Sequence, residues 1–322
     1  MAEILGHYKI LGQIGAGRMG ELFRARDTRA GRTVALRLVA AEIGADPDRR
    51  RRFLDDARAA AALSHPSIAA LYEVGLEGDQ IVLVSEFVPG ETLRAIVAGH
   101  ALNLRSALDH AVQLADALAE IHGRGLLHDD IDPRNVIVTP KGTAKFIDAG
   151  LAAWTRSGSE RREIARAAGD NAGAFEAVAY MAPEEVLAGT VDHRTDLFAL
   201  GAVLFEMFAG APPPLVAATA EARTADVLSA PPPPPSAINP AVPAEIDAVV
   251  LKLLERAPDR RHAGAAAVAA ELRAAAARLD AREAAAPPPA KAARPARRGR
   301  ISPWIVLACA AVLIGLVLYL VR

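Results

Sequence analysis

The chain has 322 residues, 52% of them hydrophobic, which suffices for one two-lobed domain and a tail. Its 37 Lys and Arg nearly balance 38 Asp and Glu, and a net charge of -1 gives no electrostatic basis for nucleic-acid binding. The single cysteine, Cys309, excludes an internal disulfide and suits a reducing cytoplasm. Residues 1–20 lack the basic segment and apolar core of a signal peptide. Period-2 apolar patterns then predict strands over Tyr8–Gly15, Glu21–Arg26 and Thr33–Val39. Asp46–Leu63 reads as a helix with Phe53, Ala57 and Ala60 on one face, followed by strands over Ile68–Val74 and Gln80–Glu86. From residue 91 the pattern is mostly helical, over 91–98, 103–122, 195–209, 243–255 and 263–279. The fold class expected is α+β, a small β-rich lobe over residues 8–86 and a larger helical lobe over residues 90–279.

Beyond the domain, residues 280–300 read as a linker in which Pro287, Pro288, Pro289 and Pro295 stand among alanines and arginines. Residues 301–321 carry no charge and, as a helix rising about 1.5 Å per residue, would cross one hydrocarbon core. Trp304 and Tyr319 sit near its ends, as interfacial aromatics do. Lys291, Arg294, Arg297, Arg298 and Arg300 crowd the N-terminal flank, and only Arg322 follows. The positive-inside rule therefore places residues 1–300 in the cytoplasm, on an inner or plasma membrane, with the C-terminus outside and no external sensor domain.

Gly15, Gly17 and Gly20 form G-A-G-R-M-G between two strand signals. A dinucleotide fold uses the same spacing, but there the third glycine opens a helix, and here Glu21-Leu22-Phe23-Arg24 continues as strand. Such a hairpin can lay backbone N–H groups over phosphates without side-chain clash. Further on come Val34-Ala35-Leu36-Arg37, then His128-Asp129-Asp130-Ile131-Asp132-Pro133-Arg134-Asn135 between a helix and a strand signal, then Asp148-Ala149-Gly150, Ala182-Pro183-Glu184 and Asp196-Leu197-Phe198-Ala199-Leu200-Gly201.

In order and spacing this set resembles the protein-kinase signature, and most closely bacterial serine/threonine kinases of eukaryotic type, over residues 8 to 279. The resemblance implies ATP and Mg²⁺ as cofactors. It implies Asp130 as the group that accepts the substrate hydroxyl's proton, and Asn135 and Asp148 as the Mg²⁺ ligands. Leu22, Ala35 and Ile137 would sandwich adenine, and the backbone of Glu86 and Val88 would meet its edge. Glu184 and Arg261 match a buried ion pair, Asp196 the anchor of the catalytic loop, and His65-Pro66 a structural turn. Ser85 aligns with the gatekeeper beside the hinge, and with Ala149 in place of a phenylalanine it predicts an apolar gap contiguous with the adenine slot.

The departures from the pattern are concentrated. Arg37 stands where the family has a phosphate-gripping lysine, and the aligned position of its glutamate partner is Asp56. Asp129 replaces an arginine, Asp132 the lysine that steadies the transferred phosphate, and Ala177 the threonine that works with that lysine. At ~4 Å and an effective dielectric of about 20, one charge pair interacts by roughly 4 kcal/mol, so a reversed sign at residue 132 predicts repulsion of the phosphate. Arg156, Arg161, Arg162 and Arg166 of the activation segment read as a solvated loop, the alternative being a receiver for a phosphate or an acidic partner, with Thr155, Ser157 and Ser159 as candidate phosphosites for another kinase. The expectation is a membrane-anchored signalling protein of kinase fold that binds ATP and transfers phosphate weakly or not at all. It would act through cytoplasmic signalling proteins or a partner kinase. The alternatives are an active serine/threonine kinase and a nucleotide-independent scaffold on the bilayer.

Overall fold

The structure, a computed structural model, describes residues 4–17, 19–151, 154, 179–187, 189–213 and 232–285. The chain divides into two compact units, residues 1–277 and 278–322, and of the second only the end of one helix is described. The expected span over 301–321, linker residues 286–300, Ala177, and the hydroxyls and arginines of 155–166 lie outside the described residues. No helix among the described residues is long and apolar enough to cross a membrane.

The first lobe is an antiparallel sheet of six strands, β1 (Ile4–Leu5), β2 (Tyr8–Gly17), β3 (Gly20–Asp27), β4 (Arg32–Val39), β5 (Leu71–Glu77) and β6 (Gln80–Glu86), in the order β1-β2-β3-β4-β6-β5. Two helices, α1 (Ala41–Gly44) and α2 (Pro47–Ala61), interrupt it between β4 and β5. Strand alternation decides what each face carries. On β4 and β6, Val34, Leu36, Val82 and Val84 enter a core with Tyr8 and Ala25. The alternate positions Val39, Ile81 and Leu83 pack with Phe53, Ala57 and Ala60 of α2. Ala35, Arg37 and Ser85 share that second parity and line a cleft. The Asp46 carboxylate caps α2 by accepting from the Arg49 N–H at 2.8 Å, with Pro47 at the first helical position. Phe53 is fully buried, and truncating such a side chain costs about 3–5 kcal/mol.

Of Gly15, Gly17 and Gly20 in the β2–β3 hairpin, Gly20 is the one the backbone demands. It sits at φ +110°, and a Cβ there would lie 1.9 Å from the Leu38 carbonyl oxygen. A Cβ on Gly17 would meet nothing within 4 Å.

The second lobe contains β7 (Glu91–Thr92), α3 (Leu93–Val97), α4 (Leu104–Gly123), β8 (Val136–Val138), β9 (Ala144–Phe146), α5 (Pro183–Val186), α6 (His193–Ala209), α7 (Ala244–Leu253) and α8 (Ala265–Ala285). Strands β7, β8 and β9 form a small antiparallel sheet. Helix α6 is buried along most of its length, through Leu197, Leu200, Val203, Leu204, Phe205 and Phe208, so it is the axis around which the lobe packs. Asn103 and Asp192 cap α4 and α6 with their side chains.

Several boundaries shift by a residue or two, the helix expected to end at 279 continues to Ala285 inside the expected linker, and two starts differ for identifiable reasons. The strand expected from Ile68 begins at Leu71, because residues 67–69 pair with Phe146 instead. The Phe146 N–H donates to Ser67 (3.0 Å), and the Ala69 N–H donates to Phe146 (2.8 Å). The helix expected from residue 91 begins at Leu93, since Glu91 and Thr92 pair with Val138 and Ile137 on β8.

Candidate functional site

The segment between α4 and β8 carries His128 to Asn135, and Asp196 at the start of α6 fixes its shape. One Asp196 oxygen accepts the His128 N–H at 2.8 Å, and the other accepts the Asp129 N–H at 2.9 Å. His122 Nε2 lies 2.9 Å from the same carboxylate. These bonds hold Asp129 at φ +63°, a left-handed conformation that a non-glycine residue adopts only when its surroundings impose it. The His128 ring is fully buried against Phe146 (centroids 4.7 Å apart), and desolvation holds its pKa below the usual imidazole value.

Asn135 closes this loop onto Asp130. Its Nδ2 donates to the Asp130 carbonyl and to Oδ2, each at 2.9 Å, which orients the carboxylate. The Ile147 N–H donates to the Asn135 carbonyl at 3.0 Å, and so the next residue, Asp148, is placed beside Asn135. Asp148 has φ +56°, the second strained non-glycine residue of the site.

Arg37 does not form the expected pair with Asp56. Arg37 Nη2 lies 2.5 Å from Asp148 Oδ2, and the Trp154 indole donates from Nε1 to Asp56 Oδ2 at 2.9 Å. Side-chain length accounts for the exchange. Aspartate at position 56 is one methylene shorter than the glutamate of the motif, while arginine reaches farther than lysine and arrives at Asp148. Trp154 also packs edge-on against Phe53 of α2, with centroids 5.3 Å apart. Nothing in the spacing of the motifs singled out this residue.

Asp132 likewise differs from its expected role. It is buried, and both carboxylate oxygens are engaged by Arg134, Nε on Oδ1 at 2.9 Å and Nη2 on Oδ2 at 2.5 Å. The Arg134 N–H also donates to Oδ1 at 2.8 Å, so Asp132 caps the short 3₁₀ turn Pro133–Asn135. Its charge is compensated locally, and the repulsion expected of it is reduced accordingly. The lysine of the motif is nonetheless absent from this position.

Between the lobes lies a cavity of about 100 Å³. Leu22, Ala35 and Ile137 line it, together with Glu86 and Val88, and Arg37 and Asp148 stand at its polar end. Ser85, Ala149, Leu63, Ile68 and Leu83 line the same cavity, so the space behind the gatekeeper is continuous with the slot. Glu86 is held by Lys145 Nζ at 2.7 and 2.8 Å, a tie from β6 to β9 that the motif reading missed.

On the other side of the helical lobe, Arg261 Nη1 and Nη2 donate to the two oxygens of Glu184 at 2.6 and 2.9 Å. Three backbone carbonyls, of Glu255, Arg194 and Arg256, accept from the same guanidinium. Thr195 adds its hydroxyl to Glu184 at 2.9 Å.

Asp148 Oδ2 is not open to a divalent cation in this arrangement. It already carries the Arg37 guanidinium, while the Asn135 Nδ2 bonds onto Asp130 leave Oδ1 as that amide's acceptor. Among the described residues no group of three or more His, Cys, Asp or Glu is placed to hold a metal ion.

Comparison with known proteins identifies the arrangement. The family model described as the protein kinase domain matches residues 8–272. The chain is 34% identical over 266 residues to a probable serine/threonine-protein kinase of Streptomyces coelicolor, covering 81% of this chain and 38% of that one. It is 35% identical over 274 residues to the serine/threonine-protein kinase PknB of Mycobacterium tuberculosis, covering 81% of this chain and 42% of that one. The chain therefore spans about two-fifths of the length of these relatives. Among solved structures it is similar to the Mycobacterium tuberculosis PknI kinase domain, with a TM-score of 0.64 at 27% identity, covering 86% of this chain and 98% of that one.

Proposed function

The chain belongs to the protein kinase domain family, and on that premise we propose that it is a membrane-anchored, nucleotide-binding signalling protein whose phosphoryl transfer is weak or absent. The observation that carries the reading is the Arg37–Asp148 pair at 2.5 Å. The cation that should grip the nucleotide's phosphates is tied to the carboxylate that should hold the metal. Asp132 adds to this, since an aspartate bound to Arg134 occupies the place of a phosphate-steadying lysine.

The rest of the site supports nucleotide binding. Leu22, Ala35 and Ile137 offer two apolar faces for an adenine ring, and Glu86 and Val88 line the same cavity at its edge. Asp130, oriented by Asn135, is the group suited to accept a proton from a serine or threonine hydroxyl. That intact bond favours the second reading, a slow serine/threonine kinase. Membrane attachment rests on the uncharged stretch 301–321 and its basic flank. Partners would then be cytoplasmic signalling proteins or an active kinase on the same membrane face.

The test is phosphate incorporation by the full chain in detergent micelles with γ-labelled ATP. Little or no label in the chain, or in a generic serine/threonine substrate protein, is expected. Robust incorporation that disappears in Asp130→Ala reverses the reading in favour of an active kinase.

A further inference from the structure

We infer that this chain binds adenine nucleotides without a divalent cation, the Arg37 guanidinium serving both the Asp148 carboxylate and the nucleotide's phosphates. The inference rests on the nucleotide-binding reading above and specifies how that site works.

The geometry begins on β4. Strand parity turns Arg37 to the cleft face with Ala35, at the polar end of the cavity whose apolar walls include Leu22 and Ile137. An adenine between those walls directs its phosphates toward Arg37 and Asp148. A carboxylate alone at that place repels phosphate, which is why a site of this kind needs a cation between the two. Here the cation is covalently part of the chain. Arg37 Nη2 is 2.5 Å from Asp148 Oδ2, and the two side chains are 12% and 31% exposed.

Arginine is the residue type that can fill this role. Its planar guanidinium offers five N–H donors in a fixed fork, so a contact to one carboxylate oxygen leaves directions for phosphate oxygens. Lysine gathers its three donors on one nitrogen, so a single position must serve both partners. Mg²⁺ demands a near-octahedral shell of oxygens at about 2.0–2.1 Å. An ion on Asp148 Oδ2 would meet the guanidinium already bound there, with like charges in contact. Asn135 offers little compensation, because the Oδ1 that its Nδ2 bonds to Asp130 leave as an acceptor is neutral and adds no negative charge. The exchange of partners around Asp56 makes the arrangement self-consistent: Trp154 satisfies Asp56, so Arg37 has no competing acidic partner on α2 at that position.

The experiment titrates the full chain in detergent micelles with mant-ADP, followed by fluorescence, in excess EDTA and in millimolar magnesium. The dissociation constants are expected to agree within about twofold, where a tenfold change would be about 1.4 kcal/mol. Binding that weakens about tenfold or more in EDTA overturns the inference and leaves the nucleotide-binding reading standing. Absence of binding under both conditions overturns the reading and the inference together. A second arm uses Arg37→Gln, with the folded state checked by its melting transition. Removing the guanidinium should weaken mant-ADP binding in EDTA by about tenfold or more and create a dependence on magnesium, since Asp148 is then open to the ion. A variant that binds in EDTA as the parent does overturns the role of Arg37. Arg37→Lys, which keeps the charge, serves if the glutamine variant does not fold, and the expected signature is the same gain of magnesium dependence.

Discussion

Two arginine–carboxylate pairs organise the molecule, and they are built differently. Arg261 meets both oxygens of Glu184 and donates to three backbone carbonyls as well, and its side chain is wholly shielded from solvent. Arg37 meets Asp148 through one contact at the mouth of a cleft, with both partners partly exposed. In the first, the guanidinium fork is saturated by fixed partners of one lobe, so the pair is a strut. In the second, the fork retains capacity for a ligand, and the carboxylate belongs to a strained residue. The same chemical pair is therefore architectural where the backbone completes it, and on the proposed reading it serves a ligand where it is left incomplete.

The largest expected effect tests that distinction directly. Glu184→Ala should destabilise the chain by about 3–5 kcal/mol, because it leaves a buried guanidinium without its counter-charge. Arg37→Gln should cost less than about 1 kcal/mol, as partly exposed pairs do. Urea denaturation of both variants measures the difference. Equal losses would show that the cleft pair is a strut too, and the contrast would collapse.

The saturated pair was the legible one. Glu184 and Asp196 sit in two of the motifs that carry the family resemblance, and the resemblance names Arg261 as the partner of Glu184. The strands of the first lobe were legible as apolar runs bounded by turn residues, although β4 and β6 are buried at consecutive positions and do not alternate cleanly. Arg37's actual partner was not legible. It lies 111 positions away, and motif alignment pointed to Asp56. The decisive side chain, Trp154, belongs to no motif, and its bond to Asp56 spans 98 positions. The compensation of Asp132 was within reach of the sequence, since Arg134 is two residues on. The reversed sign at residue 132 was weighed without that arginine. The boundary of β5 was missed because Phe146 captures residues 67–69, a long-range pairing that period-2 alternation does not encode.

A smaller effect sharpens the comparison on the cleft side. If the cleft is the incomplete region, its apolar end should also accept a ligand group. Ser85 and Ala149 line one continuous cavity with the slot, walled by Leu63, Ile68 and Leu83. An adenosine analogue bearing a benzyl group on N6 buries ~100 Å² more apolar area there, and at roughly 25 cal/mol per Å² gains about 2.5 kcal/mol before strain. Calorimetry on the full chain should show this analogue binding more tightly than adenosine. Ser85→Met should remove the preference while sparing adenosine. No preference in the parent chain would mean that the gap closes when the slot is filled.

The smallest effect concerns His128, which lies between the two regions. Its backbone is held by Asp196 from the helical lobe, its ring packs edge-on against Phe146, and among the described residues neither ring nitrogen has a hydrogen-bond partner. Burial depresses its pKa from 6.5, and this outweighs the opposing pull of the Asp196, Asp130, Asp148 and Asp129 carboxylates. A histidine depressed in the folded state binds fewer protons there than in the unfolded chain. Its contribution is fully present above 6.5 and is lost as the pH falls through that value toward the folded pKa. His65, His110 and His262 are depressed by burial in the same sense. Glu206, pushed up by burial, works in the opposite sense: it takes up a proton on folding and favours the folded state at lower pH. The wild-type slope therefore mixes several groups, and the informative quantity is the difference between the parent and His128→Leu. Between pH about 7.5 and about 5.5 the parent should lose stability more steeply than the variant, by at most about 1.4 kcal/mol per pH unit. Urea midpoints across that range measure it. Parallel curves would mean that the His128 ring gains a proton or a partner in the folded chain. The loop between the two arginine pairs would then be held by more than the Asp196 carboxylate and the packing of Phe146.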